Sequence, residues 1–260
     1  MSELSFGNLW LFRHAHDYRL TSLEGGVVVM GKGYDGLSYC LPPLSGDPLR
    51  VTRSLFLSGM TLYGDRESAV RLPLGLSCSI VDDRDNADYL YARQDLAELP
   101  GNRYHRKRNR ISYLLSRHSC IVEPFDERHQ PRALALIDDW ERSRGDSSPS
   151  SLLETGAARE GVERFRELGL FGVAVREGGR LLGFALGERL NSRTVVCHFE
   201  KGDPFIEGVS QLLNREFARM LPPEIDLLNR EQDLGDEGLR QAKLSYHPVK
   251  LLEKVRVRCP

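Results

Sequence analysis

The sequence lacks an excess of either charge. Its 260 residues hold 36 lysines and arginines against 37 aspartates and glutamates, which gives a formal net charge of −1. Dividing the chain at residue 130 reveals no hidden basic half, because the first part has 16 basic and 16 acidic residues and the second has 20 and 21. A protein that coats DNA or RNA over a broad surface usually carries a basic excess. The composition therefore excludes that class.

Paired cysteines, a signal peptide and long apolar runs are also missing. The five cysteines, at positions 40, 78, 120, 197 and 259, include no Cys-x-x-Cys pair. Their spacing predicts neither a disulfide framework nor a zinc ribbon, and it favours a reducing cytoplasm. The N-terminus has no basic segment followed by an apolar one, and no apolar run approaches the roughly 20 residues of a membrane helix. We expect a soluble cytoplasmic protein without a membrane span.

The residues that are present favour a folded α/β protein. A share of 40% hydrophobic and 28% charged residues is ordinary for a globular chain. The length predicts one large domain or two of about 130 residues each. In the N-terminal half, we predict a strand at 26–30, a helix at 85–99 and a second helix at 103–117. The second helix carries Arg103, Lys107 and Arg110 on one stripe, at i, i+4 and i+7.

The C-terminal half shows a clearer alternation of helical and strand patterns. A capping box at Ser151 and Glu154 predicts a helix that ends near Gly169. Asp203 and Pro204 are expected as the N-cap and first residue of a later helix. The polar segment 144–150 is the best linker candidate. The other predicted elements, in chain order, are a β-hairpin of 171–175 and 181–186, strands at 193–200 and 225–229, a short helix at 236–245 and a strand at 251–258.

Polar side chains gather at two predicted strand ends and after the last predicted helix. Segments 198–203 and 229–233 follow strands, and ligands of open α/β sheets bind at such ends. Period-2 alternation puts His198 and Glu200 on one face. Burial of so many polar groups without partners is costly, so these segments predict a site or a shared ion-pair network. The third group consists of Arg240, Lys243, Ser245, Tyr246 and His247.

Each of these groups also has a purely structural alternative. His198 is compatible with a hydrogen-bonded core histidine. Glu231 and Asp233 are compatible with ion pairs to Arg240 and Lys243. The strand-end groups show no recognised metal-ligand spacing, so no metal site is predicted. The basic helix is either a solvated face or a phosphate-binding stripe.

Several segments resemble the signature of a bacterial family that is similar to the soluble C-terminal domain of phosphatidylglycerol lysyltransferase. The resemblance covers nearly the whole chain. It is carried by DYLY at 88–91, LAELPGNRYHRKRN at 96–109, HFEK at 198–201, NREQDLG at 229–235 and LRQAKLSYHP at 239–248. It implies an α/β fold of two tandem GNAT-like (acyl-CoA N-acyltransferase superfamily) domains, each a mixed central sheet flanked by helices. We expect them at residues 1–124, which look divergent, and at 125–260. The membrane-spanning half of the lysyltransferase has no counterpart here, so a lipid acceptor is not expected.

One loop departs from the GNAT pattern. Members that use CoA carry a Gln/Arg-x-x-Gly-x-Gly/Ala loop, in which amides at a helix start hold the pyrophosphate. The corresponding segment is KGDPFIEG at 201–208, and Asp203 is expected at the helix N-terminus, where it would repel phosphate. This favours an aminoacyl-tRNA donor over acyl-CoA. The basic helix at 103–110 is then expected to contact tRNA phosphates.

The first hypothesis is therefore an aminoacyl- or acyltransferase, in which an amine or hydroxyl of an unidentified acceptor attacks an activated carbonyl. This chemistry needs a base, donors for the oxyanion and a proton source. We assign Glu200 or His198 as the base. Many GNATs place a tyrosine acid after the last helix, which makes Tyr246 the candidate acid. The candidate substrate-binding residues are Arg103, Tyr104, Lys107, Arg108, Asn109, Lys201, Asn229, Arg230, Glu231, Asp233, Arg240, Lys243 and His247.

Two other hypotheses stay open. One is a CoA-dependent N-acyltransferase with an unusual phosphate loop. The other is a non-catalytic GNAT-like module that binds tRNA or a protein, which predicts a cleft closed by salt bridges of His198, Glu231 and Arg240. Transfer chemistry predicts an open pocket lined by Arg103, Lys107, Glu200, Arg230 and Tyr246.

Overall fold

In the computed structural model, the described residues, 1–70, 77–144 and 149–259, form one mixed sheet of eleven strands with helices on both faces. The strands are β1 (Arg19–Leu23), β2 (Gly26–Lys32), β3 (Ser38–Cys40), β4 (Leu62–Asp65), β5 (Ser79–Ala92), β6 (Ile121–Pro124), β7 (Phe171–Glu177), β8 (Arg180–Arg189), β9 (Thr194–Gly202), β10 (Leu227–Asn229) and β11 (Lys250–Arg258). The helices are α1 (Phe6–Leu11), α2 (Pro48–Leu57), α3 (Arg66–Val70), α4 (Arg93–Glu98), α5 (His105–Leu115), α6 (Gln130–Arg144), α7 (Pro149–Glu163), α8 (Val209–Met220) and α9 (Glu237–Leu244). None of the described helices is long and apolar enough to cross a membrane.

The two halves of the chain share this sheet. Its strand order is β1-β2-β3-β4-β11-β5-β10-β9-β8-β7-β6. The last strand, β11, lies between β4 and β5, while β6 pairs with β7 at the opposite edge. Each half therefore takes a strand from across residue 124. The division into domains 1–124 and 125–260 remains a proposal.

Alternating side chains of the C-terminal strands bury two separate cores, one on each face of the sheet. In β7, Val173 and Val175 pack into a core that includes the apolar side of α8, whereas Ala174 packs toward α6 and α7 on the opposite face. Helix α5 contributes Ile111 and Leu114 to the first core. Burial of apolar side chains on both faces fixes α5 and α8 beside the ends of β9 and β10.

The predicted element order of the C-terminal half is confirmed. A helix, a hairpin, a strand, a helix, a strand, a helix and a final strand follow each other as α7, β7, β8, β9, α8, β10, α9 and β11. The helix predicted at 236–245 is present as α9, and Asp236 is its N-cap, with its carboxylate accepting a hydrogen bond from the Leu239 amide. The predicted strand at 26–30 is also present, as β2.

The predicted helix at 85–99 is wrong over most of its length. Residues up to Ala92 belong to β5, which pairs with β10 and β11, and only Arg93–Glu98 form a helix. Tyr89 and Tyr91 alternate into the first core, while Asp88, which precedes Tyr89, is buried on the other face. Pairing with strands that are distant in sequence outweighs the local helical pattern.

The expected start of α8 at Asp203 is also wrong. The helix begins at Val209, and its N-cap is Gly208 in a left-handed conformation with a φ of 96°. A Cβ at this position would lie 2.5 Å from the Arg110 carbonyl oxygen, so α5 packs against bare backbone here. Asp203 instead accepts a hydrogen bond from the Phe205 amide and forms an ion pair with Arg180.

Helix α7 already includes Pro149, so Ser151 is not its N-cap. Most of the linker proposed at 144–150 lies outside the described residues. One disulfide forms, between Cys78 and Cys259, although the cysteine spacing predicted no disulfide framework. These cysteines are 181 residues apart, and the antiparallel pairing of β5 with β11 brings them together. Cys40, Cys120 and Cys197 are free.

Candidate functional site

A cleft of about 840 Å³ opens where β9 and β10 separate. The two strands pair in parallel only as far as Val196 and Asn229. Beyond this point β9 continues with one extra residue, His198, that has no partner on β8, while the chain after Asn229 turns away. A bulge of this kind redirects side chains near a site. The cleft therefore lies at the predicted strand ends.

Nine of the predicted site residues line this cleft. They are Lys107, His198, Glu200, Lys201, Arg230, Glu231, Asp233, Lys243 and Tyr246. The other predicted residues lie outside its lining: Arg103, Tyr104, Arg108, Asn109, Asn229, Arg240 and His247. The open pocket expected for transfer chemistry is thus present without Arg103, whose guanidinium forms an ion pair with Asp95 at 2.6 Å.

Tyr246 lies between two cations in the cleft wall. The Lys107 ammonium is 3.9 Å from the centre of the Tyr246 ring, and the Arg230 guanidinium is 5.1 Å from it. Arg230 Nη2 also donates to Glu200 Oε2 at 3.0 Å, and Lys107 Nζ donates to the Ser245 hydroxyl at 2.6 Å. These contacts join a carboxylate, a phenol and two cations into one group, which we call the reactive cluster (Lys107, Glu200, Arg230 and Tyr246).

The electrostatics of the reactive cluster suit proton transfer. Burial lowers the pKa of Lys107 to about 8, and the neighbouring Arg230 and Arg110 charges act in the same direction. Burial raises the pKa of the Tyr246 phenol well above its usual value, although Arg230 opposes that change. Tyr246 therefore keeps its proton at neutral pH and is able to donate it.

Several predicted site residues do not line the cleft, and some of them form hydrogen bonds to the backbone around it. The Tyr104 hydroxyl donates to the Tyr246 carbonyl oxygen at 2.9 Å, and Arg108 Nη1 donates to the Gly101 carbonyl oxygen at 2.7 Å. His247, in a left-handed conformation, packs edge-on against Tyr104. Asn109 lies on the exposed side of α5, where its amide contacts the His105 ring at 3.0 Å. Tyr104 thereby fixes the turn that carries Tyr246.

The loop after β10 is held by a second set of predicted residues. Lys243 Nζ donates to the carbonyl oxygens of Arg230 and Gln232, both at 2.5 Å. Burial and the Arg230 charge lower the pKa of Lys243 to about 8. Asp233 accepts hydrogen bonds from the Arg240 guanidinium at 2.9 and 3.1 Å, which confirms the expected pair between these two residues. These bonds set the course of the loop that presents Arg230.

His198 is enclosed by two carboxylates. Its Nδ1 lies 2.8 Å from Glu231 Oε1 and its Nε2 lies 2.9 Å from Glu188 Oε1, with the ring fully buried. Burial lowers the pKa of His198, but the charge of Glu231 and the hydrogen bonds to both carboxylates raise it to about 9. At neutral pH the ring is an imidazolium that donates from both nitrogens.

Beside the cleft lies a buried ion-pair cluster that was not predicted from the sequence. Lys254 on β11 donates to Asp88 at 2.7 Å and forms a second ion pair with Glu3. Asn229 donates to the same Asp88 at 2.9 Å, which gives this predicted binding residue a structural task. Burial lowers the pKa of Lys254, but the two carboxylates outweigh that effect and raise it. Lys254 is buried within β11, and the two carboxylates that pair with it come from segments distant in sequence, so no local pattern predicts its burial.

The N-terminal half supplies an aromatic wall that was not predicted. This wall of the cleft consists of Phe12, His16, Tyr18, Tyr34, Tyr39 and Tyr63. The His16 ring lies 5.1 Å from Tyr18 and 4.9 Å from Tyr34. These residues come from the loop after α1, the turn between β2 and β3, and strands β3 and β4, so no sequence motif marks them as a group. Among the residues that the structure describes, no group of three or more His, Cys, Asp or Glu side chains is arranged to hold a metal ion.

Comparison with known proteins places the chain in a family. Residues 1–258 match the family described as phosphatidylglycerol lysyltransferase, C-terminal. A conserved protein of unknown function from Bacteroides thetaiotaomicron has a similar structure, with a TM-score of 0.89 and 30% identity over 100% of this chain and 91% of that one. A search of curated proteins gives no match.

Two more distant structures share the fold. The L-PGS structure from Bacillus licheniformis has a TM-score of 0.64 and 12% identity, covering 96% of this chain and 90% of that one. The C-terminal domain of an Agrobacterium fabrum protein named as a lysylphosphatidylglycerol synthetase has a TM-score of 0.63 and 12% identity, covering 97% and 86%. The predicted α/β fold class, with a mixed central sheet flanked by helices, is confirmed, whereas the expected division into two tandem GNAT-like domains stays a prediction. The chain belongs to the family of phosphatidylglycerol lysyltransferase C-terminal domains.

Proposed function

We propose that this protein transfers an activated acyl or aminoacyl group to an amine or hydroxyl acceptor in the cleft. The observation that carries the proposal is the reactive cluster, in which Tyr246 lies 3.9 Å from the Lys107 ammonium and Arg230 pairs with Glu200 at 3.0 Å. A base, a proton donor and fixed cations are the groups that acyl transfer needs. All four side chains line one open cleft.

Each member of the cluster has a role in this proposal. Glu200 accepts the proton of the attacking amine or hydroxyl as the bond to the acyl carbon forms. Lys107 and Arg230 stabilise the negative charge that develops on the carbonyl oxygen. Tyr246, which keeps its proton at neutral pH, donates it to the leaving oxygen or sulfur as the bond to the donor breaks.

His198 is the weaker candidate for the base. Both of its nitrogens are occupied by carboxylates, and its raised pKa keeps it charged at neutral pH. An imidazolium in this position does not accept a proton. We assign it the task of holding Glu231 and Glu188 in place, as a positioning residue.

The donor is proposed to be an aminoacyl-tRNA. A CoA thioester is the second candidate, and a specific observation favours it. Asp203 does not cap α8 and forms an ion pair with Arg180, so its negative charge near the helix start is partly neutralised, although this residue lines the adjacent depression. A depression of about 320 Å³ lies beside Gly208 and Ser210 at this helix start. Backbone amides at such a position suit a phosphate group.

The non-catalytic alternative is less well supported. It predicts that His198, Glu231 and Arg240 close the cleft. His198 and Glu231 do pair, but Arg240 is directed to Asp233 and Asp85 instead. An open cleft of about 840 Å³ remains beside the reactive cluster.

The test compares the two donors in one assay. The protein is incubated with a mixture of labelled aminoacyl-tRNAs or with acetyl-CoA, together with a panel of amines and hydroxyl compounds, and labelled products are counted. We expect turnover with one donor class, and a loss of about 100-fold or more in Glu200→Gln. Glu167→Gln, a change at an exposed carboxylate outside both the cleft and the depression, is the matched control. Turnover in Glu200→Gln equal to that of the control variant, or no turnover with either donor, would refute the proposal.

A further inference from the structure

The cleft extends across one face of the sheet, well beyond the reactive cluster. Its lining includes Tyr39 on β3, Tyr63 on β4, Arg256 on β11 and Asp83 on β5, besides Glu200 on β9. In the strand order, four spacings separate β4 from β9. At about 4.8 Å for each spacing, the cleft reaches about 19 Å from Glu200 to Tyr63. A ligand that fills it is therefore elongated.

The depression at the start of α8 joins the cleft at the end beside the reactive cluster. Ser210 and Gln211 on α8 line both spaces. Helix α8 packs against β7, β8 and β9, on the side of the sheet away from β3 and β4. A donor that is held at the depression enters the cleft from this side. The part over β3, β4 and β11 is then left for the acceptor of the transferred group.

The lining of the cleft carries a surplus of negative charge. Nine of its residues are aspartate or glutamate, against five that are lysine or arginine. The surplus remains after the positive charge of the buried His198 is counted. Such a lining attracts an ammonium group and repels a phosphate group.

Part of this surplus is located beside Tyr63. Two carboxylates share the Arg256 guanidinium, which forms an ion pair with Asp35 and a second one with Asp83 at 3.5 Å. The buried Oδ2 of Asp83 accepts no hydrogen bond from any residue within 1–70, 77–144 or 149–259. Because a buried carboxylate oxygen without a donor is unfavourable, this atom favours a ligand that brings a charged N–H group. We call Asp35, Asp83, Tyr39 and Tyr63 the acidic end of the cleft.

Aromatic rings line the path from the acidic end to the reactive cluster. The Tyr39 and Tyr63 rings lie 5.1 Å apart, and the half-exposed Tyr34 ring lies 4.9 Å from His16. Burial and the charge of Glu231 raise the pKa of the Tyr34 phenol, so this ring lies near the loop after β10. Ring faces attract ammonium groups, and they also pack against the methylene groups that join such cations.

We propose that the acceptor is an elongated organic polycation, of which one amine reaches Glu200 while another binds at the acidic end. The inference rests on the proposed function, because it names the acceptor class of that reaction. Linear polyamines have this chemistry, since their ammonium groups suit Asp35 and Asp83 and their methylene chains suit the rings.

The transfer step then has a defined balance. The reacting nitrogen enters as a neutral amine and gives one proton to Glu200 as it bonds to the acyl carbon. The bond between that carbon and the donor breaks, and the leaving oxygen or sulfur takes the Tyr246 proton. The product is an amide of the polyamine, whose remaining ammonium groups keep their charge.

An anionic acceptor fits this lining less well. A phosphate group at the acidic end would meet the charges of Asp35 and Asp83, and both carboxylates already hold the Arg256 guanidinium. A neutral hydroxyl compound would leave the negative surplus without a partner. The charge of the lining therefore favours an amine with a second cationic group.

The experiment measures binding of spermine and of propylamine by titration calorimetry at about 0.05 M salt, without any donor. Spermine should bind about tenfold or more tightly than propylamine, because only the longer chain places cations at both ends of the cleft. Asp83→Asn should weaken spermine binding by about tenfold, since it removes a charged hydrogen-bond partner. Tyr34→Leu should weaken it by about threefold to tenfold.

Matched variants separate recognition from damage to the fold. Asp82→Asn changes the neighbouring exposed carboxylate outside the cleft, and Tyr113→Leu changes an exposed ring on α5. Both should bind spermine like the wild type. Tyr34→Phe keeps the ring and should keep the affinity. This pattern, together with loss in Asp83→Asn and Tyr34→Leu, supports the proposal.

Four results would overturn this acceptor class. They are spermine binding no tighter than that of propylamine, equal weakening in the site and control variants, unchanged binding in both site variants, and tighter binding of glycerol 3-phosphate than of spermine. The last result would indicate an anionic acceptor.

The outcome is independent of the transfer assay. Spermine binding that depends on Asp83, without turnover from any donor, would leave the binding site in place and refute the proposed reaction. Turnover onto other acceptors, without spermine binding that depends on Asp83, would leave the reaction in place and refute the polycation.

Discussion

Replacement of His198 by glutamine tests the account of the buried imidazolium. The ring lies between Glu188 and Glu231 with both nitrogens within 2.9 Å of a carboxylate oxygen. Glutamine has a similar length and retains a hydrogen-bond donor but has no charge. The variant leaves two buried carboxylates that face each other without a cation, which is unfavourable.

The size of the effect follows from the pKa of His198. It lies at about 9 in the folded protein against an ordinary value of 6.5. At about 1.4 kcal/mol for each tenfold difference, the folded state gains about 3 kcal/mol from protonation of this ring. Because the folded pKa is raised, this stabilisation is complete below about pH 6.5 and is lost as the pH rises through about 9.

The assay is urea unfolding of the wild type and His198→Gln at about pH 6 and about pH 9.5. Between these values the wild type should lose about 3 kcal/mol more of its free energy of unfolding than the variant does. His14→Gln, a change at an exposed histidine, is the control and should follow the wild type. The same pH dependence in the wild type and His198→Gln would refute the assignment of a buried charge.

Two further predictions concern the cleft and the start of α8. Because burial and Arg230 lower the pKa of Lys107 to about 8, turnover should fall as the pH rises above that value, since the neutral amine no longer stabilises the oxyanion. A kcat profile of Lys107→Arg should stay flat to higher pH, and a profile identical to that of the wild type would contradict this role. Gly208→Ala should lower the free energy of unfolding by about 2 kcal/mol or more, because its φ is 96° and the new Cβ meets the Arg110 carbonyl oxygen at 2.5 Å. Gly156→Ala, where no atom lies within 4 Å of the new Cβ, should instead stabilise α7 by up to about 1 kcal/mol, and equal effects in urea unfolding would refute the argument.

The C-terminal half could be predicted because its signals are local. The hairpin turn between β7 and β8 and the Asp236 cap of α9 depend on residues close in sequence. The strand β5 could not be predicted, since its helical pattern is overridden by pairing with β10 and β11, which are more than 130 residues away. Helix α8 starts at Val209 and not beside Asp203, because α5 packs against the backbone of the N-cap Gly208, and no local pattern encodes that contact.

The candidate site, too, could be predicted only in part from the sequence. Strand-end position identified Glu200, Arg230 and Glu231, because polar groups at the ends of adjacent strands meet in space. The motif around Tyr104 and Arg108 is polar and specific, yet these side chains support the backbone around the site. Sequence patterns identify the segments that form the site. Only the three-dimensional packing distinguishes the side chains that line the cleft from those that support the backbone around it.

The most direct test of the proposed reaction is the single-turnover transfer rate of Tyr246→Phe with saturating donor. This variant keeps the ring between Lys107 and Arg230 and removes only the hydroxyl. We expect a rate reduced by about 100-fold to 10,000-fold, with donor affinity unchanged. Tyr113→Phe, on the exposed side of α5, should transfer at the rate of the wild type. A Tyr246→Phe rate equal to that of the wild type would contradict the role of Tyr246 as the proton donor.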